Sequence, residues 1–221
     1  MPDVHSRFGC LLLCAALVTA ACGDPGRAAD ARRESPTGEW RTAGCEFSRT
    51  PQTMPMGGAD VPVTPPSLAA AMARIDDGGR NRHNGSYAGL EVDQRLVRAI
   101  VYRVPSAEFD DFVRISAEDT CVVVRDAAHS IAELAGWQDR ITADLAAWTA
   151  QGIRIASVGA RHDGAGVEVG TQDVDLARQE LPARYGAGAP LIFVEQGPIT
   201  PLTSPPAPPP SGPPVAPPPG G

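Results

Sequence analysis

The sequence predicts an α+β domain in which helices pack on an antiparallel sheet. Two observations lead to this fold class. Between residues 86 and 197 the order strand, strand, helix, strand occurs twice, and a helical segment joins the two occurrences. The rest of the chain is poor in the large apolar side chains that form a core. Its last 24 residues alone hold 12 of the 23 prolines.

The first occurrence lies within residues 89–124. Residues 89–93 and 96–104 alternate apolar and polar side chains, as the two strands of a hairpin do. Ser106 then opens a helix that carries Phe109, Phe112 and Val113 on one side. The apolar run over residues 121–124 predicts a buried third strand.

The second occurrence lies within residues 153–194. Residues 153–159 and 167–171 flank Asp163 and Gly164, a dipeptide that favours a tight hairpin turn. A helix is predicted over residues 173–185, ended by Gly186, and a strand over residues 191–194. The two occurrences align at a constant shift that places Ile100 on Val167, Tyr102 on Val169 and Phe109 on Leu176.

The joining segment over residues 130–151 is predicted to be helical. It opens with Ser130 and Glu133, which form a capping box, and Gly136 is expected to divide it into two pieces. Its apolar side chains share one helical face: Ile131, Leu134, Ile141, Leu145 and Trp148.

Two segments are predicted to lie outside the domain. Residues 22–85 are rich in small and polar residues and predict a flexible tether, with a short helix over residues 67–77 ended by Gly78 and Gly79. Residues 198–221 predict a disordered, extended proline-rich tail. This tail is either an interaction segment or a solvated terminus.

The N-terminus has the order of parts of a signal peptide over residues 1–21: Arg7, an apolar run and closing small residues. Cys22 and Gly23 follow, and this end resembles the lipobox of bacterial lipoproteins. The resemblance implies that acyl chains such as palmitate on Cys22 anchor the protein at the extracytoplasmic face of the cell membrane. The alternative is a secreted protein cleaved near Ala20 or Ala21.

The cysteines fit an exported protein. Cys10 and Cys14 fall in the signal peptide and Cys22 would be acylated, which leaves Cys45 and Cys121 as a pair in an oxidising compartment. We expect a disulfide between them. The alternative is two independent thiols, with Cys121 buried in its strand.

Residues 87–195 carry the phrases YAGLEVD and GVEVGT and the element order described above. In these features the domain is similar to the propeptide domains of secreted actinobacterial serine proteases of the alpha-lytic and streptogrisin type. Such domains assist the folding of the protease and inhibit it. The proline-rich tail stands here where the protease would follow, so the resemblance implies a related fold that holds another protein.

The histidines do not predict a metal centre. His83 and His162 fall in polar turns, where a solvated side chain is common, and His129 precedes a helix cap. None is spaced from a second histidine or from a cysteine as zinc ligands are, and no hydrolase signature is found. We therefore expect no cofactor and no metal.

The acidic residues Asp163, Glu168, Asp173 and Asp175 are the best candidates for chemistry, as paired carboxylates can bind calcium or act as acid and base. The structural interpretation is that they serve the turn, the outward strand face and the helix N-terminus, and we favour it.

Net charge limits the partners. The chain carries a formal charge of −7, and residues 86–196 hold 10 arginines against 17 acidic residues. A nucleic acid is therefore not an expected partner, and neither is a direct grip on anionic lipid headgroups.

The sequence leads to a lipid-anchored extracytoplasmic binding module that contacts a protein partner and lacks catalysis. One alternative is an envelope enzyme that uses the acidic residues near 163–175. Another is a stand-alone protease inhibitor or folding helper, as the propeptide resemblance implies.

Overall fold

The structure is a computed structural model that describes residues 37–197. The predicted signal peptide over residues 1–21, the lipidation site Cys22 and the tail over residues 198–221 lie outside the described residues. Within residues 37–197, every helix is too short or too polar to cross a membrane.

The first part of the described chain forms a four-stranded sheet with two helices and a separate hairpin. Its strands are β1 (Trp40–Arg41), β2 (Gln52–Met56), β3 (Ala59–Val63), β4 (Tyr87–Asp93), β5 (Arg98–Arg103) and β6 (Val122–Asp126). Its helices are a 3₁₀ turn (Ala43–Glu46), α1 (Pro66–Arg82) and α2 (Ala107–Ala117). The sheet order is β1-β6-β5-β4, and β2 pairs only with β3.

The second part forms a three-stranded sheet. Its helices are α3 (Ile131–Ala143), α4 (Leu145–Ala150) and α5 (Val174–Tyr185), and its strands are β7 (Ile155–Ala160), β8 (Val167–Thr171) and β9 (Leu191–Glu195). The sheet order is β7-β8-β9. The α+β class predicted from the sequence is confirmed.

The four-stranded and the three-stranded sheet are both mixed, whereas the sequence predicted antiparallel pairing. β4 and β7 pair antiparallel with β5 and β8, but β6 and β9 join β5 and β8 in parallel. The helix between the second and third strand of each half is the cause, because it returns the chain to the end of the sheet where the previous strand began.

The internal repeat is present and includes one more helix than predicted. Each repeat begins with a helix, so α1 in the first repeat corresponds to α3 and α4 in the second, and the joining segment belongs to the second repeat. The β4–β5 and β7–β8 hairpins share a shift in strand register. It lies between Tyr87 and Gly89 in the first and between Ile155 and Ser157 in the second.

The predicted alignment of the repeats was shifted by one residue. The structure matches Val101 with Val169 and Phe109 with Ala177, since these side chains face the two cores. Phe109 does not correspond to Leu176, which is 39% exposed. A one-residue slip moves every strand side chain to the opposite face, so the pattern alone did not fix the register.

Each half has a core of its own. Between α1, α2 and the first sheet lie Ile75, Tyr87, Val101, Phe109 and Val122, among others. The second core is formed between the second sheet and its helices by Leu134, Trp148, Val169 and Leu181 with their neighbours.

The folded region extends further toward the N-terminus than the predicted boundary at residue 86. Helix α1 buries Leu68 and Ile75, and it continues through Gly78 and Gly79 to Arg82. The two glycines do not end the helix because aromatic rings pack against them: a Cβ on Gly79 would lie 2.5 Å from the Tyr87 ring.

The N-terminal strand also belongs to the fold. Trp40 of β1 pairs with Val124 of β6, and its indole donates a hydrogen bond of 3.3 Å to the buried Asp110 carboxylate. That carboxylate forms an ion pair of 2.7 Å with the guanidinium of Arg103, and both side chains are fully buried. Arg103 also pairs with Asp126 at the end of β6.

The joining helix breaks at a different place from the one predicted. Gly136 lies inside α3, and the axis changes at Asp144, where α3 ends and α4 begins. Asp144 accepts hydrogen bonds from Arg184 at 2.7 and 2.8 Å and from the Tyr185 hydroxyl at 2.9 Å. These bonds tie the break to α5.

Candidate functional site

A groove of about 810 Å³ lies where the two halves meet. Its lining comes from one helix and one strand of each half, namely α1 with β4 and α3 with the end of β7. The apolar and small lining residues include Met72, Ala73, Leu90, Ile131 and Ala135. A concave site with mostly apolar walls and a few polar groups is typical of ligand-binding clefts.

Asp76, Arg80 and Tyr87 form the polar group on the α1 side of the groove. The Tyr87 hydroxyl donates a hydrogen bond of 2.6 Å to Asp76, and the Arg80 guanidinium donates to the same carboxylate at 2.9 Å. Asp76 and Arg80 are one helical turn apart, so α1 itself brings them together. The carboxylate is thus already bound to two donors.

The titration of this group follows from its surroundings. Burial and the hydrogen bond to Asp76 raise the pKa of Tyr87 far above its ordinary value. Burial alone would raise the pKa of Asp76, but the hydrogen bonds from Tyr87 and Arg80 outweigh it and lower that pKa. At neutral pH the group is therefore a neutral phenol, a carboxylate and a guanidinium.

The edges of both sheets meet at the other wall. Gly89 of β4 approaches the backbone of His162 so closely that a Cβ there would collide with the His162 carbonyl. The Gln138 side chain accepts a hydrogen bond of 3.3 Å from the backbone N–H of Ala160. The His162 ring lies 3.2 Å from the Glu91 carboxylate, which also accepts a 2.8 Å bond from the Tyr102 hydroxyl.

This arrangement is suited to binding. Asp76 is the one carboxylate among the described residues that line the groove, and its two donors hold it ionised. A general acid or base needs a pKa near the working pH, whereas that of Asp76 is shifted in the opposite direction. The apolar faces of α1 and α3 supply contact surface.

The four acidic residues singled out from the sequence are not brought together. Asp163 and Glu168 lie near the start of β8 and share Arg161, at 2.6 and 3.7 Å. Asp173 follows the end of β8 and accepts a bond of 3.2 Å from the Arg154 backbone N–H. The remaining one, Asp175, lies 3.4 Å from Arg178 on α5.

Local pairing accounts for these four carboxylates. Asp163 also accepts a bond of 3.1 Å from the Ala165 backbone N–H within its turn. The hydrogen bond from Arg161 is the main reason that the pKa of Asp163 is lowered. The structural interpretation of this group therefore fits the geometry.

The histidines are separate from one another, and His83 differs from its prediction. Its side chain is only 11% exposed and packs against the rings of Phe109 and Phe112, with centroids 5.4 and 5.0 Å away. The cause is the unbroken helix α1, which ends at His83 against α2. Among residues 37–197 no group of three or more potential ligands could hold a metal ion.

Cys45 and Cys121 are joined by a disulfide in the structure. The bond connects the 3₁₀ turn to the residue before β6, on the sheet face that points away from α1 and α2. Ile100 and Val123 on that face are almost fully buried. The segment after β1 is thereby held across the outer side of the first sheet.

Sequence reasoning missed the groove and its residues. The signal that could have found Asp76 and Arg80 is their spacing of four residues, which is typical of an ion pair on a helix. That signal was lost because residues 22–85 were assigned to a tether. The groove itself lies between α1 and α3, which no local pattern reports.

Comparison of the chain with protein-family models, curated proteins and solved structures found no match.

Proposed function

We propose that this protein is a binding module on the extracytoplasmic face of a membrane, held there by acyl chains on Cys22. It binds an extended segment of a protein partner in the groove between α1 and α3. The groove, with its mostly apolar walls contributed by both halves, is the observation that carries this proposal.

The mode of binding follows from the position of β4. This strand is at the edge of its sheet, and residues 87–90 of β4 line the groove. Residues 87–89 are buried, so a segment added to the groove meets side chains and not a free strand edge. Side chains of the added segment would then contact Met72 on α1 and Ile131 on α3.

Two further features support a protein ligand over a catalytic role. The polar groups of the groove pair with one another, which fixes its shape and leaves the apolar surface for contact. The similarity of residues 87–195 to protease propeptide domains also implies a domain that holds another polypeptide.

The groove can be tested by filling it. Ala73 on α1 and Ala135 on α3 are exposed and face the groove, so Ala73→Trp and Ala135→Trp should fold normally and obstruct it. Ala146→Trp on the exposed side of α4 is the matched control. Crosslinking on intact cells, with mass spectrometry of attached proteins, should recover a reproducible partner from the unaltered chain and from the control.

The outcomes distinguish binding in the groove from binding elsewhere on the domain and from no binding. Loss of the partner in both groove variants, with retention in Ala146→Trp, supports the groove as the site. A partner retained in all variants places binding elsewhere on the domain. If the unaltered chain captures no partner, the binding function is refuted.

The anchor has its own test. Cells labelled with a palmitate analogue should incorporate it into the unaltered chain and not into Cys22→Ala. The Cys22→Ala chain should also leave the membrane fraction and appear in the extracellular or periplasmic fraction. A Cys22→Ala chain that sediments with membranes as before would refute the lipid anchor.

A further inference from the structure

Uncovered apolar side chains are unevenly distributed along the described chain. Of the seven large apolar side chains that are exposed, five lie in residues 47–61 or at residue 96. These five are Phe47, Met54, Met56, Val61 and Leu96, with exposed fractions from 38 to 67%. The other two, Ile115 and Leu176, lie singly on α2 and α5.

The hairpin formed by β2 and β3 has one entirely uncharged face. In its register Met54 pairs with Val61, Met56 with Ala59 and Gln52 with Val63, so these six side chains lie on the same side. Asp60, Thr53 and the two prolines point to the other side. An isolated two-stranded hairpin is marginal in water, so a surface that covers this face would stabilise it.

The edges of the hairpin are protected against strand addition. Ladder positions alternate, and the register places the nitrogen atoms of Pro55 in β2 and Pro62 in β3 on the sides that face away from the partner strand. A proline on each open edge removes a hydrogen-bond donor there. The apolar face is thus the surface available for docking, and the edges are not.

Arginines lie beside this apolar surface. The Gln94 side chain donates a bond of 2.8 Å to the Thr64 hydroxyl, which holds the base of the hairpin next to the turn between β4 and β5. Phe47, Leu96, Arg49 and Arg95 line a cavity of about 200 Å³ there.

Two of these arginines lack a carboxylate partner. Arg95 is exposed, and neither it nor Arg49 has a carboxylate within ion-pair distance in residues 37–197. Arg49 does donate to the Asp119 carbonyl through its terminal nitrogen, but its buried Nε has no acceptor among the described residues. Phosphate oxygens would pair with the exposed guanidinium group of Arg95.

We propose that this end of the domain, formed by the β2–β3 hairpin with Phe47, Leu96, Arg49 and Arg95, docks on the surface of a phospholipid bilayer. The apolar side chains enter the boundary between headgroups and acyl chains, and Arg95 contacts headgroup phosphates. This contact does not depend on net charge, so it is compatible with an acidic protein.

A phospholipid bilayer fits these surface features better than a second copy of the chain. The uncovered side chains are few, and a stable protein interface buries about 800 Å² on each partner. The surface also lies close to the proposed anchor along the chain. Only 17 residues separate Cys22 from Trp40, a stretch that spans at most about 60 Å. The proposal rests on the proposed membrane location, and it adds how the domain is oriented relative to the bilayer.

The experiment uses the chain from residue 22 to 221 with Cys22→Ser, so that binding does not depend on lipidation. Sedimentation with phosphatidylcholine vesicles measures the partition coefficient. The variant Met54→Asp with Met56→Asp should lower it by roughly a hundredfold, because each exposed methionine contributes about a factor of ten when buried. Arg95→Gln should lower it by a smaller factor.

The matched control is Ile115→Asp with Leu176→Asp, which adds the same two charges at exposed apolar positions elsewhere. The control should partition like the parent chain, and circular dichroism should show all variants folded. Equal loss in the control and the hairpin variant would overturn the proposal. So would a parent chain that does not sediment with vesicles, or a dimer in analytical ultracentrifugation that the hairpin variant abolishes. If vesicle binding is as expected but Cys22 is not acylated in cells, the lipid anchor fails and the docking surface stands.

Discussion

Replacing both Cys45 and Cys121 with alanine should lower the free energy of unfolding by several kcal/mol. The disulfide joins residues that are 76 positions apart. In the chain-entropy model, closing a loop of that length lowers the conformational entropy of the unfolded chain. This stabilises the folded state by about 4.5 kcal/mol at room temperature. The enclosed loop contains β2, β3, α1, β4, β5 and α2, so its release affects nearly the whole first half.

Urea unfolding of the unaltered chain and of the double variant, followed by circular dichroism, measures the difference. A reducing agent should destabilise the unaltered chain by the same amount and leave the variant unaffected, which controls for the lost cysteine packing. A difference under about 1 kcal/mol would refute the loop-entropy reasoning. Two free thiols in the intact mass of the alkylated, unreduced protein would refute the bond itself.

Three further perturbations test the fold around the groove. Asp110→Asn leaves the buried Arg103 without its full partner and should cost about 3–5 kcal/mol in urea unfolding, and a loss below about 1 kcal/mol would contradict the buried ion pair. Gly79→Ala places a methyl group against the Tyr87 ring and should lower thermal stability by about 1–3 kcal/mol despite the better helix propensity; a stabilised variant would contradict the close packing. Stability should also fall at both extremes of pH. The pKa of Tyr87 is raised from 10.0, so its contribution is present below pH 10 and is lost as the pH rises further. The pKa of Asp76 is lowered from 3.8, so its contribution is present above that pH and is lost as the pH falls below it. Urea midpoints across pH measure both arms, and an alkaline arm of equal size in Tyr87→Phe would contradict the first.

Local signals in the sequence were sufficient for most elements of residues 86–197. Ser106 caps α2 by accepting a bond of 3.4 Å from the Phe109 N–H, and Ser130 caps α3 by accepting one of 3.2 Å from the Glu133 N–H. The turn at Asp163 and Gly164 also lies between β7 and β8, as predicted. Caps and turns are encoded by neighbouring residues, so they can be read without tertiary information.

The elements that the sequence did not reveal depend on distant contacts. Helix α1 passes through Gly78 and Gly79 because the rings of Phe112 and Tyr87, far along the chain, occupy the space beside them. The β2–β3 hairpin does carry a signal, the pair Gly57 and Gly58 at its turn, but its composition resembles that of a linker. Parallel and antiparallel strands share the same period of two, so the pattern could not decide the direction of β6 and β9.

The candidate site was the least predictable part of the molecule. Asp76 and Arg80 form a recognisable helical pair, but their relation to Tyr87 requires that α1 pack on β4. The groove requires in addition that the two repeats associate through α3. The helices and strands that line the groove are each encoded by local sequence, whereas the groove between them forms only when the two repeats are packed together.

The separation of the two cores also predicts how the molecule loses its structure under stress. The disulfide and the buried Arg103 both belong to the first half, and the matching position in the second half is Thr171, a small side chain that bonds to the Arg154 carbonyl at 2.8 Å. The second half is thus the less restrained cooperative unit, and local opening should begin there. Hydrogen exchange should accordingly reach the amides of β8 and α5 before those of β5 and α2. A ligand seated between the halves would slow exchange in both, which makes exchange rates a sensor of occupancy in the native chain.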